Sequence, residues 1–261
     1  ISPDGSQIVF TYKGDLYKVA SEGGEAQQLT FHEAHDYQAV WSPDGQTLAF
    51  ASERYGNFDI YVMPAAGGPA TRLTFHSTNE TPFAFSADGK YVYFGAARQD
   101  KASHRQYPTG SQPELYQVPV DGGRVDQVLT VPAEHVQVNQ AGTQLIYHDK
   151  KGGESEWRKH HTSAITRDIW TYDFSTGEHK MITTRAGEDR QPVYSKDENT
   201  IYYLSERSGT FNVHKRQLDT PGSDEQVTSF ETHPVRFLSY GNGTLCFSYD
   251  GELYTMPEGG T

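Results

Sequence analysis

"WSPDGQTLAF" (residues 41–50) sets a four-residue turn between two apolar runs. Proline presets φ, aspartate bonds back to the backbone and glycine takes a positive φ, so Ser42–Gly45 reads as a tight reversal. The chain opens on the same pattern, "ISPDGSQIVF" (1–10), and repeats it as "FSADGKYVYF" (85–94). Three later copies drift: "NQAGTQLIY" (139–147), "SKDENTIYY" (195–203) and "SYGNGTLCF" (239–247). Aligned on Ser2, Ser42, Ser86, Asn139, Ser195 and Ser239, the spacings are 40, 44, 53, 56 and 44.

Each copy continues in one order. A β-rich run follows the turn, then a second run opened by an acidic or amide residue: "DLYKV" (15–19), "DIYVM" (59–63), "ELYQV" (114–118), "DIWTY" (168–172), "NVHKR" (212–216), "ELYTM" (252–256). A Gly-containing turn comes next, then "LT", "LT", "LT", "IT" and "VT" at 29, 73, 129, 182 and 227, and a last run returns to the turn. Four strands per unit at this period predict an all-β fold: a six-bladed β-propeller of four-stranded antiparallel blades, of the WD40-like (PD40) kind. The blades are expected at roughly 1–37, 38–81, 82–134, 135–189, 190–233 and 234–261 in a single domain. The first lacks its inner strand and the last its outer one, which reads as a domain excised from a larger protein.

Composition narrows the function. The 261 residues carry a formal net charge of -12, which argues against nucleic acid and anionic membrane as partners. No apolar run approaches a membrane span. The single cysteine, Cys246, permits no internal disulfide and is expected in the core. No cofactor motif, phosphate loop, nucleophile elbow or zinc signature appears. His32 and His35 have metal-like spacing without a third ligand, and Ser163 near His160 and His161 lacks an oxyanion context, so neither a metal site nor a catalytic residue is assigned.

In an up-and-down blade, the loops between strands two and three and those between blades share one face. That face carries the long insertions 97–113 and 149–167, and binding concentrates on such loops. A cation recurs there after the second strand: Lys13, Arg54, Arg98, Lys151 and Arg207, with Asp250 breaking the series. These rim cations either hold acidic ligands or pair with the acid opening the third strand, as Arg54 with Asp59. Arg105, Arg158, Lys159 and Arg167 lie in insertions that blade closure does not require and are candidate ligand contacts, with His160 and His161 beside them.

The segments "SEWRKHHTSAITRDIWTYD" (155–173), "AGEDRQPVYS" (186–195), "YYLSERSGTFNV" (202–213) and "THPVRFLS" (232–239) closely resemble the N-terminal six-bladed propeller of tricorn-like proteases, over essentially the whole chain. The resemblance implies a cytoplasmic, multidomain serine peptidase of oligopeptides, often homo-oligomeric. A second propeller, a PDZ-like domain and catalytic domains would follow this one. The propeller would then act as a channel or filter without catalytic residues. Its basic residues, placed here at Arg98 and Arg105, would hold the substrate carboxylate. Two alternatives share the bare turn repeat: a periplasmic Tol-type protein-interaction propeller, and the cap propeller of an α/β-hydrolase peptidase.

Overall fold

A computed structural model describes residues 1–98, 109–153, 155, 157, 160 and 162–260. Every regular element among them is a β-strand, and the chain divides into two compact units, 1–133 and 134–261.

Unit 1 opens with a three-stranded antiparallel sheet of β1 (Gln7–Tyr12), β2 (Asp15–Ala20) and β3 (Gln27–Gln28). A four-stranded sheet follows, β4 (Asp36–Trp41), β5 (Thr47–Ser52), β6 (Asp59–Pro64) and β7 (Thr71–Arg72). The third ladder contains β8 (Glu80–Phe85), β9 (Tyr91–Ala96), β10 (Glu114–Pro119) and the first part of β11 (Asp126–Val138). In unit 2 the end of β11 leads into β12 (Gln144–Asp149), β13 (Ile169–Asp173) and β14 (His179–Met181). Then come β15 (Asp189–Tyr194), β16 (Thr200–Ser205), β17 (Asn212–Gln217) and β18 (Glu225–Gln226), and finally β19 (Arg236–Gly241), β20 (Thr244–Tyr249) and β21 (Glu252–Pro257).

Six turn copies therefore give five hydrogen-bonded sheets, because β11 runs through thirteen residues and serves β10 first and β12 afterwards. The stretch 126–138 stays strand where the repeat implied a loop, although Pro132 and left-handed His135 interrupt its regularity.

The turns are built as their residues dictate. Ser42 Oγ donates to Asp44 Oδ1 at 2.6 Å and accepts the Thr47 N–H at 2.9 Å, while Asp44 Oδ1 also accepts the Gln46 N–H at 3.0 Å. Ser2/Asp4 and Ser86/Asp88 repeat the arrangement. Asn139 replaces both residues, its Oδ1 accepting the Thr143 and Gln144 N–H groups. The sixth copy departs from the pattern: Asn242 (φ 44) and Gly243 (φ 82) form a two-residue hairpin turn between Gly241 and Thr244. Successive turns also nest. A Cβ on Gly45 would lie 3.9 Å from Pro3 Cδ, and one on Gly89 3.7 Å from Pro43 Cδ.

The "LT" repeat has an equally local cause. The threonine hydroxyls of Thr30, Thr74, Thr183 and Thr228 accept the backbone N–H of Leu16, Ile60, Ile169 and Val213 at 2.9–3.0 Å, completing strands that the short fourth strands leave partly unpaired. The core lies between neighbouring sheets within each unit. In unit 1, Leu16 and Leu29 pack on Leu48, Phe50 and Tyr61, and Ala49, Ile60 and Leu73 pack on Phe85, Val92 and Phe94. In unit 2, Ile146 and Ile169 pack on Ile201 and Tyr203, and Tyr202 and Leu204 on Leu238 and Leu245. Middle strands such as β5, β9 and β16 are buried on both faces, which is why they read as unbroken apolar runs.

The inner strands are bulged near their start. Register shifts fall at Tyr37/Val40, Pro82/Ala84, Arg190/Val193 and Arg236/Ser239, and Gln38, His135, Gln191 and Phe237 take positive φ. A bulge of this kind re-aims one side chain at the strand end, where the loops of the variable face begin.

Candidate functional site

The cations that follow each second strand are fixed by the strands beneath them. Arg54 leaves the end of β5, and its Nη2 lies 2.9 Å from Asp36 Oδ2, with the guanidinium 5.0 Å from the Tyr61 ring centroid. Arg98 leaves β9 and meets Glu80 Oε1 through Nε at 2.7 Å and Nη2 at 2.5 Å, above the stacked Phe94 and Tyr116 rings. Arg207 leaves β16 and reaches Asp189 Oδ2 at 3.2 Å and the Tyr203 hydroxyl at 2.8 Å. Asp36, Glu80 and Asp189 are fully buried.

The partner is thus the acid that opens the inner strand, not the one that opens the third strand. Asp59, expected to hold Arg54, instead accepts Arg72 Nη2 at 2.7 Å. Asp36, Ser52 and Asp59 stand in one row across β4, β5 and β6, so Arg54 could turn either way. Arg72, arriving from the fourth strand, fills Asp59 and sends Arg54 inward. Lys151 does follow the expected geometry, with Asp168 at 2.5 Å and Asp149 at 3.3 Å. Ala133, two residues before left-handed His135, occupies the place that Asp36 holds two before Gln38, so the acid that binds Arg54 has no counterpart at that position. Lys13 sits at φ 50 in a two-residue turn, exposed, 5.3 Å from the Tyr12 ring. Asp250 takes the matching place in the last sheet and contacts His233 Nε2 at 3.3 Å.

Burial raises the Glu80 carboxyl above its ordinary range while Arg98 pulls it down, and Asp189 follows the same balance against Ser205 and Arg207. Removing one partner would leave the other charged and desolvated. Arg98 meets Glu80 through both Nε and Nη2, and its side chain is 16% exposed. A second carboxylate reaching its exposed part would find a guanidinium already held in place.

Unit 2 holds a denser polar cluster that sequence reasoning missed. Arg167 is 3% exposed, its Nη1 2.8 Å from Glu188 Oε1, and Arg190 Nη1 approaches the same oxygen at 3.5 Å. Glu134 accepts Lys150 Nζ at 2.7 Å and lies 3.6 Å from His148 Nε2, while His148 Nδ1 accepts the Gln191 N–H at 3.0 Å. Burial holds His148 neutral, down at about 3 despite the neighbouring carboxylate. Burial alone would raise Glu134, but the His148 ring 3.6 Å away and the charge of Lys150 hold its carboxyl below the ordinary range. The available signal was "GEDRQ" (187–191), where Glu188 and Arg190 flank the inner-strand acid in place of His35 and Tyr37 or Asn79 and Thr81.

Of the candidate ligand contacts, Arg167 therefore stands in a buried pair rather than on the rim. His160 is exposed at φ 57, its N–H donating to Glu206 Oε2 at 2.8 Å. Trp157, from the same insertion, stacks on Arg236 at 4.2 Å. Arg105, Arg158, Lys159 and His161 lie outside the described residues. His32 Nδ1 accepts the Ala34 N–H, and His35 packs on Tyr37 and Phe58. Among the described residues no group of three His, Cys, Asp or Glu side chains is arranged to hold a metal ion. Burial raises the Cys246 thiol, which is 3% exposed. No helix among the described residues is long and apolar enough to cross a membrane. A cleft of about 420 Å³ opens on the turn side of unit 1, but its only charges, Asp44 and Asp88, are bound into their own turns.

Comparison with known proteins follows the same lines. A family model described as the Tricorn protease N-terminal beta propeller domain matches residues 2–259. No curated protein matches the chain at a significant level. Among solved structures, tricorn protease superposes with a TM-score of 0.81 at 21% identity, covering 98% of this chain and 25% of that one. TolB from Acinetobacter baumannii gives 0.73 at 19% identity, covering 99% and 62%. A putative TolB from Agrobacterium tumefaciens gives 0.68 at 18%, covering 86% and 77%. The chain spans about a quarter of the tricorn protease chain that it matches, and at these identities the structural likenesses show the fold alone.

Proposed function

The chain belongs to the tricorn protease N-terminal beta propeller family, and on that premise we propose that it is the non-catalytic propeller of a serine peptidase that degrades oligopeptides. Read this way, β11 supplies the last strand of a third blade and the first of a fourth, giving six blades closed into a ring. The ring admits or filters peptides for catalytic domains elsewhere in a longer, cytoplasmic, oligomeric protein, alongside a second propeller and a PDZ-like domain. The insertions on the loop face, with Arg98, Arg105, Arg158, Lys159, His160 and His161, meet the peptide and its carboxylate end. The rim cations Arg54, Lys151 and Arg207 brace the blades beneath, and Arg167 anchors the second insertion through Glu188.

What carries this reading is the Arg98 side chain, held by buried Glu80 at the end of β9 and still 16% exposed. A guanidinium fixed in advance loses little freedom when it takes a carboxylate. The test replaces Arg98 and Arg105 by alanine in the full peptidase and compares free-acid with C-terminally amidated peptides. A charge-assisted bond is worth roughly 1.5–3 kcal/mol, so kcat/KM on free-acid peptides should fall about tenfold or more while amidated peptides change little. Equal loss on both classes would remove the carboxylate role. The TolB likeness supports a protein-binding alternative only at the level of fold.

A further inference from the structure

The sequence contains one Asn-Gly dipeptide, Asn242–Gly243, and the fold places Asn242 on the surface at the tip of a hairpin. The two residues join β19 to β20, with φ 44 and φ 82, both left-handed as a two-residue turn requires. The pair is also chemically reactive. The backbone nitrogen that follows an asparagine can attack the side-chain Cγ and close a five-membered imide, and glycine, with no side chain, hinders that attack least. At the corresponding place other modules carry Asp44–Gly45 and Asp88–Gly89, whose ionised carboxylates resist a nucleophile.

Gly243 is gripped on both of its peptide units. Its N–H donates to the Tyr240 hydroxyl at 3.0 Å, that hydroxyl donates to Glu258 Oε2 at 2.5 Å, and the Glu258 N–H returns to the Gly243 carbonyl at 2.7 Å. Three bonds thus tie the turn to the end of β19 on one side and to the residue after β21 on the other. To reach Asn242 Cγ, the Gly243 nitrogen has to shed its proton and turn its lone pair toward the side chain. Either movement forfeits the bond to Tyr240.

We propose that Asn242 is a site of spontaneous covalent modification whose rate the Tyr240–Glu258 pair holds down. The Gly243 nitrogen gives its proton to solvent and bonds to Asn242 Cγ, the Cγ–Nδ2 bond breaks, and Nδ2 leaves as ammonia. Water then opens the imide at either carbonyl, giving aspartate or isoaspartate. The balance is one water gained and one ammonia lost, with no oxidant or reductant. Isoaspartate carries the main chain through Cβ, and that extra atom would spoil the Gly241–Thr244 pairing that closes the ladder.

The experiment incubates the native chain, Tyr240→Phe and Thr74→Val at pH 8 and 37 °C, with the native chain in urea as the unfolded reference. Ammonia release and isoaspartate at residue 242 are followed by enzymatic assay and peptide mass mapping. Tyr240→Phe keeps the ring and removes the acceptor, so its rate should exceed the native rate roughly threefold to tenfold, the worth of one hydrogen bond. Thr74→Val, a substitution in unit 1 that leaves the turn's bonds alone, should match the native rate, and the unfolded chain should be fastest. If Tyr240→Phe does not fold, Glu258→Ala, which unties the Tyr240 hydroxyl, should shift the rate in the same direction. Equal rates in the native chain and in the folded variant that breaks the clamp overturn the restraint, and so does an equal acceleration in Thr74→Val. Absence of isoaspartate at 242 from the unfolded chain overturns the site itself.

Discussion

Asp44 closes its turn with one oxygen, accepting Ser42 Oγ and the Gln46 N–H together. Such bonds favour the ionised form: the Ser42 hydroxyl first, then the Gln46 N–H, hold Asp44 below its ordinary range, and the matching bonds bring Asp4 to about 2. A carboxylate depressed in the folded state stabilises above its unfolded pKa and loses that contribution as pH falls through the folded one. Asp44→Ala should therefore be less stable than the native chain at pH 7, with the gap narrowing as pH approaches 2, read by thermal melts across pH 2–7. His148 runs in the same direction for a different reason. Burial keeps its imidazole neutral down to about 3, whereas the unfolded ring takes a proton near 6.5, so acidification between those values favours unfolding. Its ring signals should stay unmoved in an NMR titration from pH 7 to pH 5, and movement in that range would show that its Nδ1 is not held by the Gln191 N–H.

Strands and ladders were legible in the sequence where their causes are local. The Ser–Asp turn uses bonds two and five residues apart, and the Thr hydroxyl caps its partner strand about fourteen residues away, so one repeat contains both cause and effect. Pairing of the cations was not legible, because the choice of Asp36 over Asp59 depends on Arg72 arriving from another strand. Nor was the polar cluster of Glu134, His148, Arg167 and Glu188, which joins residues from different ladders, or the run of β11 through a presumed loop. Gly95 shows a constraint of the same non-local kind. A Cβ there would stand 2.7 Å from Phe83 Cε2 and 2.8 Å from Cζ, and that ring is only 6% exposed. Gly95→Ala should cost about 1–3 kcal/mol through overpacking, seen as a Tm lower by several degrees. Thr74→Val, which leaves the Ile60 N–H unbonded, should cost a similar amount by denaturant titration.

At the scale of the molecule, the proposed function puts bond-breaking chemistry outside this chain. Purified residues 1–261 should release no fluorophore from quenched peptides, and robust cleavage by this chain would move the catalytic assignment into it. The turns carry a last consequence. Pro3 rests against Gly45, and Pro43 against Gly89, so a copied segment carries both the knob for the module after it and the socket for the one before. A gene lengthening by tandem duplication thus gains, with each copy, a fitting joint that needs no new mutation. Once the neighbour is fixed by its core the joint is no longer required, and Ala87, Gln140 and Lys196 stand in place of that proline.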